Sequence, residues 1–103
     1  MQNQPLDKSH NHSPLTKILL NMLSKISHGS LEVITPDGKH HHFFGTKTGE
    51  NISVSINDWR FCDELLLKGD IGLGESYVLG FWDCDNINKL VKWGIENKKP
   101  LER

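Results

Sequence analysis

Four sets of residues in this chain have types and spacings that could do chemistry. Asp70-Ile71-Gly72-Leu73-Gly74 sets an acid before spaced glycines, the pattern of a nucleotide-cradling loop. Such a loop should follow a buried parallel strand and open a helix. Here the preceding stretch, Trp59 to Lys68, has helical spacing, and Ser76 stands where a third glycine belongs. The block therefore reads as a turn that needs small residues. In His40-His41-His42, strand alternation turns His40 and His42 to one side, about 7 Å apart. Two imidazoles can grip one metal ion, but a zinc site wants a third ligand and a fourth position. The sequence nearby offers no obvious cysteine or acid, so an exposed polar strand without metal is expected. Cys62 and Cys84 give neither a disulfide framework nor a zinc motif, and no charged neighbours mark a reactive thiolate. Glu75 stands among Leu73, Val78 and Trp82. A carboxylate there must be paired, capping or functional. It is expected to accept from free amides at the start of a short helix, with contact to a partner's cationic group as the alternative.

Composition narrows the classes. The chain has 103 residues, so there is room for one domain and one core. Lys and Arg number 12 against 13 Asp and Glu, which removes any bulk attraction to nucleic acid. No apolar run approaches the roughly 20 residues of a membrane span. The polar start, Met1 to Pro5, is not expected to be a secretory signal. Together these features predict a reduced, cytoplasmic protein.

The elements that would position these residues follow from periodicity. Residues 1–12 read as a disordered leader, in which His10 and His12 are expected to be solvated. Ser13 and Pro14 open a helix running to Ser27, with Leu15, Ile18, Leu19, Met22, Leu23 and Ile26 on one stripe, His28 in its last turn and Gly29 as its stop. Ser30–Thr35 and His40–Phe44 form a hairpin around Thr35-Pro36-Asp37-Gly38. Gly45 to Gly49 is a loop, and Asn51–Ile56 is a third strand, giving an antiparallel meander with one wet face. Asp58 or Asn57 caps a helix from Trp59. Glu75 to Leu79 forms a short helix ended by Gly80, and Phe81-Trp82 is extended. Asp83 or Asp85 caps a last helix whose stripe is Ile87, Leu90, Val91 and Ile95. Residues 98–103 read as a linker. The predicted fold is α+β: an antiparallel sheet of four or five strands with helices packed on one face. The expected core is Leu19, Leu23, Leu31, Val33, Ile52, Val54, Ile56, Phe61, Leu65, Leu73 and Trp82. Trp59 and Trp93 also read as core rather than as stacking platforms.

One ordered series points further. Pro36-Asp37-Gly38 is followed by Phe44-Gly45 and then by Asp58-Trp59-Arg60-Phe61. Next come Gly69-Asp70-Ile71-Gly72-Leu73-Gly74-Glu75-Ser76-Tyr77 and finally Gly80-Phe81-Trp82-Asp83. In that order they resemble the N-terminal domain of bacterial cyclopropane-fatty-acyl-phospholipid synthases, over roughly residues 28 to 97. The residues carrying the resemblance are Asp58, Trp59, Gly69, Asp70, Gly72, Gly74, Glu75, Tyr77, Gly80, Trp82 and Asp83. Ser76 and Val78 depart from the family's usual Ala and Met. Leu79 stands where Asp is common, and Cys84-Asp85-Asn86 replaces a Ser-Pro-Asp helix start.

The resemblance implies a sterol-carrier-protein-like fold and an accessory role. Members carry a downstream domain that binds S-adenosylmethionine and transfers its methyl carbon to an acyl-chain double bond. This chain, as residues 13–97 plus a linker, would lack that domain. It is expected to be inactive alone, with no catalytic residue and no cofactor of its own. Its implied partners are the catalytic methyltransferase domain, in cis or in trans, and a phospholipid or acyl chain, with at most peripheral contact at the inner membrane surface. The helices carry more apolar surface than one sheet face needs, which predicts an apolar surface or cavity. Leu15, Ile18, Met22, Phe43, Leu66 and Val78 are its candidate lipid contacts. A free-standing lipid carrier and a plain interaction module are the competing classes.

Overall fold

A computed structural model describes residues 14–101. The leader and the Ser13 cap lie outside the described residues. The elements are α1 (Pro14–Leu23), β1 (His28–Ile34), β2 (His40–Phe44), β3 (Lys47–Ile56), α2 (Arg60–Lys68), α3 (Asp70–Val78), β4 (Trp82–Cys84), α4 (Ile87–Glu96) and α5 (Lys98–Leu101). The class is α+β, as expected, with helices over one face of a four-stranded sheet.

The sheet is mixed rather than antiparallel. Its order is β2-β1-β3-β4. The hairpin β1–β2 and the pair β3–β4 are antiparallel, but β1 and β3 run parallel. A parallel connection needs about a dozen residues. Here β2 and its flanking turns supply them. After β2 the chain crosses the start of β1: the Gly45 amide donates to the Gly29 carbonyl at 2.8 Å, and the Lys47 amide to the Ser27 carbonyl at 2.9 Å. A Cβ on Gly45 would lie 2.3 Å from the Ser27 carbonyl carbon, so only glycine passes. The expected loop therefore ends early, and β3 begins at Lys47. Between His28–Lys47 and Ser30–Asn51, β1 advances through Gly29 alone while β3 passes through Thr48, Gly49 and Glu50. Gly29 takes φ 67°, and a Cβ there would lie 2.0 Å from the Glu50 carbonyl oxygen.

Helix α1 stops at Leu23, short of the expected Ser27. The chain tightens so that the Lys25 amide bonds Met22 and the Ile26 amide bonds Leu23, dropping Ile26 into the core. His28 thus opens β1 instead of ending a helix. Buried Asn97 is the reason. Its Oδ1 accepts from the Ser27 and His28 amides at 2.9 and 3.0 Å, and its Nδ2 donates to the His28 and Trp93 carbonyls at 3.1 and 3.0 Å. Every hydrogen-bonding capacity of the amide is used.

The inward sheet face is Leu31, Val33, Ile52, Val54 and Ile56, joined by Leu19, Ile26, Phe61, Cys62, Trp82 and Trp93. Leu23, Leu65 and Leu73 pack against this core partly buried. Helix α4 turns Trp93 inward, with Leu90 half-buried, so that Ile87, Val91 and Ile95 of the expected stripe stand exposed. Its cap is Asn86, whose side chain accepts from the Lys89 amide, and not Asp83 or Asp85. The expected linker begins as helix α5, and Leu101 packs on the core.

Removing the Asn97 amide strands two amides at the start of β1. Asn97→Ala should cost about 2–6 kcal/mol, the sum of two unsatisfied donors at about 1–3 kcal/mol each. Urea unfolding of the variant beside the parent chain measures it; a loss under half that would show that water replaces the side chain.

Candidate functional site

The sheet and helices leave a cavity of about 540 Å³ between them. Protein interiors seldom hold voids larger than a water molecule, and this volume lies in the range of small-molecule pockets, about 300–1,000 Å³. The floor is the inward face of β1 and β3. Its walls are Leu19, Met22 and Leu23 of α1, Leu65 and Leu66 of α2, Leu73 of α3, and Leu90, Val91, Trp93 and Gly94 of α4, with Leu101 beside them. Among the described lining residues only Asp70 carries a formal charge, and its exposure puts it at the mouth. Such a lining offers an apolar chain dispersion contacts and shelter from water. It presents neither a nucleophile nor a general base set apart in the interior.

The glycine-rich block is a helix, not a turn. Gly69, at φ 59°, makes the corner between α2 and α3, its amide bonded to the Leu65 carbonyl. Asp70 to Val78 then form α3 despite two interior glycines. Packing overrides their poor propensity. Gly72 is buried so close to α2 that a Cβ would lie 1.9 Å from the Glu64 carbonyl oxygen, and Ser76, one turn on, is fully buried. Gly74 faces open space. A helix following a helix cannot cradle a nucleotide in the strand–loop–helix manner.

This placement also corrects the reading of Glu75. It lies inside α3 rather than at a helix start, is exposed, and reaches the Lys68 ammonium at 3.4 Å. Lys68 also pairs with Glu64 at 3.2 Å.

The other residues of the ordered series build the frame of the cavity. Asp58 accepts from the Arg60 amide at 2.9 Å and pairs with its guanidinium at 2.7 Å, and the latter hydrogen bond holds the carboxyl below its ordinary value. The Arg60 guanidinium lies 4.7 Å from the Phe81 ring centre. Trp59 is buried. Gly80, at φ 79°, turns the chain into β4, and its carbonyl accepts from Asn57 Nδ2. Trp82 lines the cavity, donates from Nε1 to the Leu73 carbonyl at 3.0 Å, and sits 4.9 Å from the Tyr77 ring and 5.8 Å from Phe61. Asp83 is exposed on β4, opposite Ser55. Burial pushes the thiols of Cys62 and Cys84 above the ordinary range, which opposes thiolate formation.

Of the six candidate contacts, Met22 and Leu66 line the cavity. Leu15 is half-buried and Ile18 is 46% exposed on α1, while Val78 is 85% exposed. Phe43 is half-buried on β2, opposite Leu31. None of these four is in the lining; on α1 the inward side runs through Leu19, Met22 and Leu23. Val91 and Gly94 were missed as lining residues, although the apolar stripe of α4 was their signal.

No family model matches the chain, and no solved structure matches it significantly. Over 51 residues the chain is 41% identical to the cyclopropane-fatty-acyl-phospholipid synthases of Escherichia coli K12 and of Escherichia coli O6:H1. The match takes in 46% of this chain and 13% of each of those proteins. The chain is therefore related to that enzyme family through a small fraction of the relatives' length.

Two predictions follow from the geometry of α2 and α3. Gly72→Ala should destabilise by about 1–3 kcal/mol, the cost of overpacking. Gly74→Ala should stabilise by about 0.5–1 kcal/mol. Paired thermal melts decide, and equal shifts would contradict the close approach at Gly72. The lowered pKa of Asp58 sets a pH dependence. A depressed carboxylate contributes stability above its unfolded value, 3.8 here, and loses it as pH falls through the folded value. The stability gap between the parent chain and Asp58→Asn should be full at neutral pH and close in acid. A gap that does not narrow as the solution is acidified below 3.8 would point to packing instead.

Proposed function

We propose that this chain is an accessory, lipid-associating module of a cyclopropane-fatty-acyl-phospholipid synthase, and that the cavity between its helices and sheet holds an acyl chain. The apolar lining carries this reading, and the 41% identity to the E. coli synthases supports it. Methylene transfer to the unsaturated acyl chain would belong to a separate domain that binds S-adenosylmethionine, acting in cis or in trans. The role of this chain would be to shelter and present the lipid. The helical setting of Asp70 to Gly74 is the reason for locating the cofactor elsewhere.

Lipid would be reached from the membrane surface; no described helix is long and apolar enough to cross a bilayer. Leu67 and Ile71, 74% and 68% exposed on α2 and α3, offer apolar contact for a lipid surface or for the catalytic domain. The alternative is a free-standing carrier with a sterol-carrier-like interior. In its favour, all the lining comes from this chain's own elements.

Native mass spectrometry of the chain should show bound phospholipid or fatty acid, and liposome flotation should carry the chain upward. Leu66→Trp fills the cavity and should weaken binding of a fluorescent fatty acid roughly tenfold, about 1.4 kcal/mol. Absence of lipid in both assays would sink the lipid-associating reading. Cyclopropanation by a separate catalytic domain, with and without this chain, distinguishes module from carrier: only the module raises it.

A further inference from the structure

The outer face of the sheet carries a second constellation, on the side away from the cavity. In the β1–β2 register Glu32 stands directly opposite His42, and His40 lies opposite Ile34. Strand alternation places all three on the outer face, since their neighbours Leu31 and Val33 point inward. The Glu32 carboxylate sits against both rings: Oε2 is 2.7 Å from His40 Nδ1 and 3.5 Å from His42 Nε2. The ligand atoms of the three residues all lie within 4.8 Å of one another. The third ligand that the sequence lacked near the histidines thus comes from the paired strand.

We propose that Glu32, His40 and His42 form a binding site for a divalent first-row transition metal, zinc being the representative ion. Two imidazole nitrogens and one carboxylate oxygen suit zinc, copper and nickel, whereas magnesium and calcium prefer all-oxygen sets. With metal–ligand distances near 2.0–2.1 Å, ligands around a tetrahedral ion stand about 3.3 Å apart. The Glu32–His42 pair, at 3.5 Å, is already near that spacing, and the His40–Glu32 pair, at 2.7 Å, would open slightly to admit the ion. Binding would replace the His40–Glu32 hydrogen bond with two metal bonds.

The surroundings hold the ligands in place. Ser53 Oγ, on β3, donates to the free Glu32 oxygen Oε1 at 3.1 Å, orienting the carboxylate from behind. The His42 ring stacks between neighbours on its own strand, His40 at 6.5 Å and Phe44 at 6.3 Å. Both histidine side chains are 54% exposed, which leaves the remaining coordination positions to water or to a ligand from outside. The site is therefore open and exchangeable, unlike a closed structural zinc centre.

His10 and His12 also offer imidazoles, so the test uses the full-length chain carrying His10→Ala and His12→Ala. Zinc titrated calorimetrically into this protein should bind with a stoichiometry of one. Glu32→Gln, His40→Ala and His42→Ala should each weaken binding by roughly tenfold or more, at least the loss that even an outer-shell partner brings. His41→Ala, on the opposite side of β2, should leave affinity unchanged. Zinc should raise the melting temperature of the parent protein and not that of Glu32→Gln. Magnesium should do neither. No saturable zinc binding, or binding that survives Glu32→Gln and His42→Ala, would overturn the site. An acyl-chain assay on the same variants is independent of this result, because none of the three residues lines the cavity.

Discussion

The fold depends on how the chain crosses the start of β1. Three backbone segments meet there: the entry to β1 at Ser27–His28, the return from β2 at Gly45, and the irregular start of β3 around Gly49. Their close approach leaves amides that the ladder cannot satisfy, and water has little room to replace it. Asn97 solves this from the end of α4, taking two amides of the entry and one of its carbonyls in a single fully buried side chain. Glu96 adds a second tie, accepting from the Glu50 amide at 3.0 Å. Helix α4 is thereby fixed across the sheet at one end. That position lets Leu90, Val91, Trp93 and Gly94 wall the cavity rather than collapse into it.

A large apolar void costs stability, because its lining loses dispersion partners and the surroundings do not fully relax. Here the frame around it is rigid on two other sides. The Gly72–Ser76 face lets α3 press against α2 at backbone distance, and Trp82 ties β4 to α3 through the Leu73 carbonyl. The Asp58–Arg60–Phe81 cluster fixes the start of α2 to the entry of β4. The glycine-rich block and the Asp-Trp-Arg-Phe segment therefore act through position. They hold walls apart around a space, and none of them delivers a reacting group into it.

The sequence made the hairpin legible, because Thr35-Pro36-Asp37-Gly38 and the flanking alternation are local signals. The inward residues of β1 and β3 were legible for the same reason. The parallel pairing was not, since it turns on Gly45 passing against Ser27, a contact between residues far apart in the chain. The helix at Asp70 to Val78 was hidden by its own glycines: local propensity opposes it, and only the surface of α2 makes the small face favourable. Asn97 gave no signal in the sequence, because a single buried amide has no periodicity. The third ligand to the histidine pair was hidden too. Glu32 is eight residues from His40, and only the strand register brings them together.

That register links the two faces of the sheet. Leu31 and Val33 form the cavity floor, while Glu32 between them points to the histidines. Side chains alternate strictly along a strand, so a slip of one residue would put a carboxylate into the apolar cavity and two aliphatic groups into solvent. Burial of Glu32 without a partner would cost several kcal/mol, which makes the slipped pairing strongly unfavourable. The bulge of β3 opposite Gly29 and the clamp of Asn97 on Ser27 and His28 set where β1 begins, and so set the phase of every residue after it. The same few contacts thus determine both which side chains meet the cavity and which carboxylate meets the two imidazoles. Each face places its own demand on the register: the inner face excludes charge, and the outer one brings Glu32 within hydrogen-bonding distance of His40.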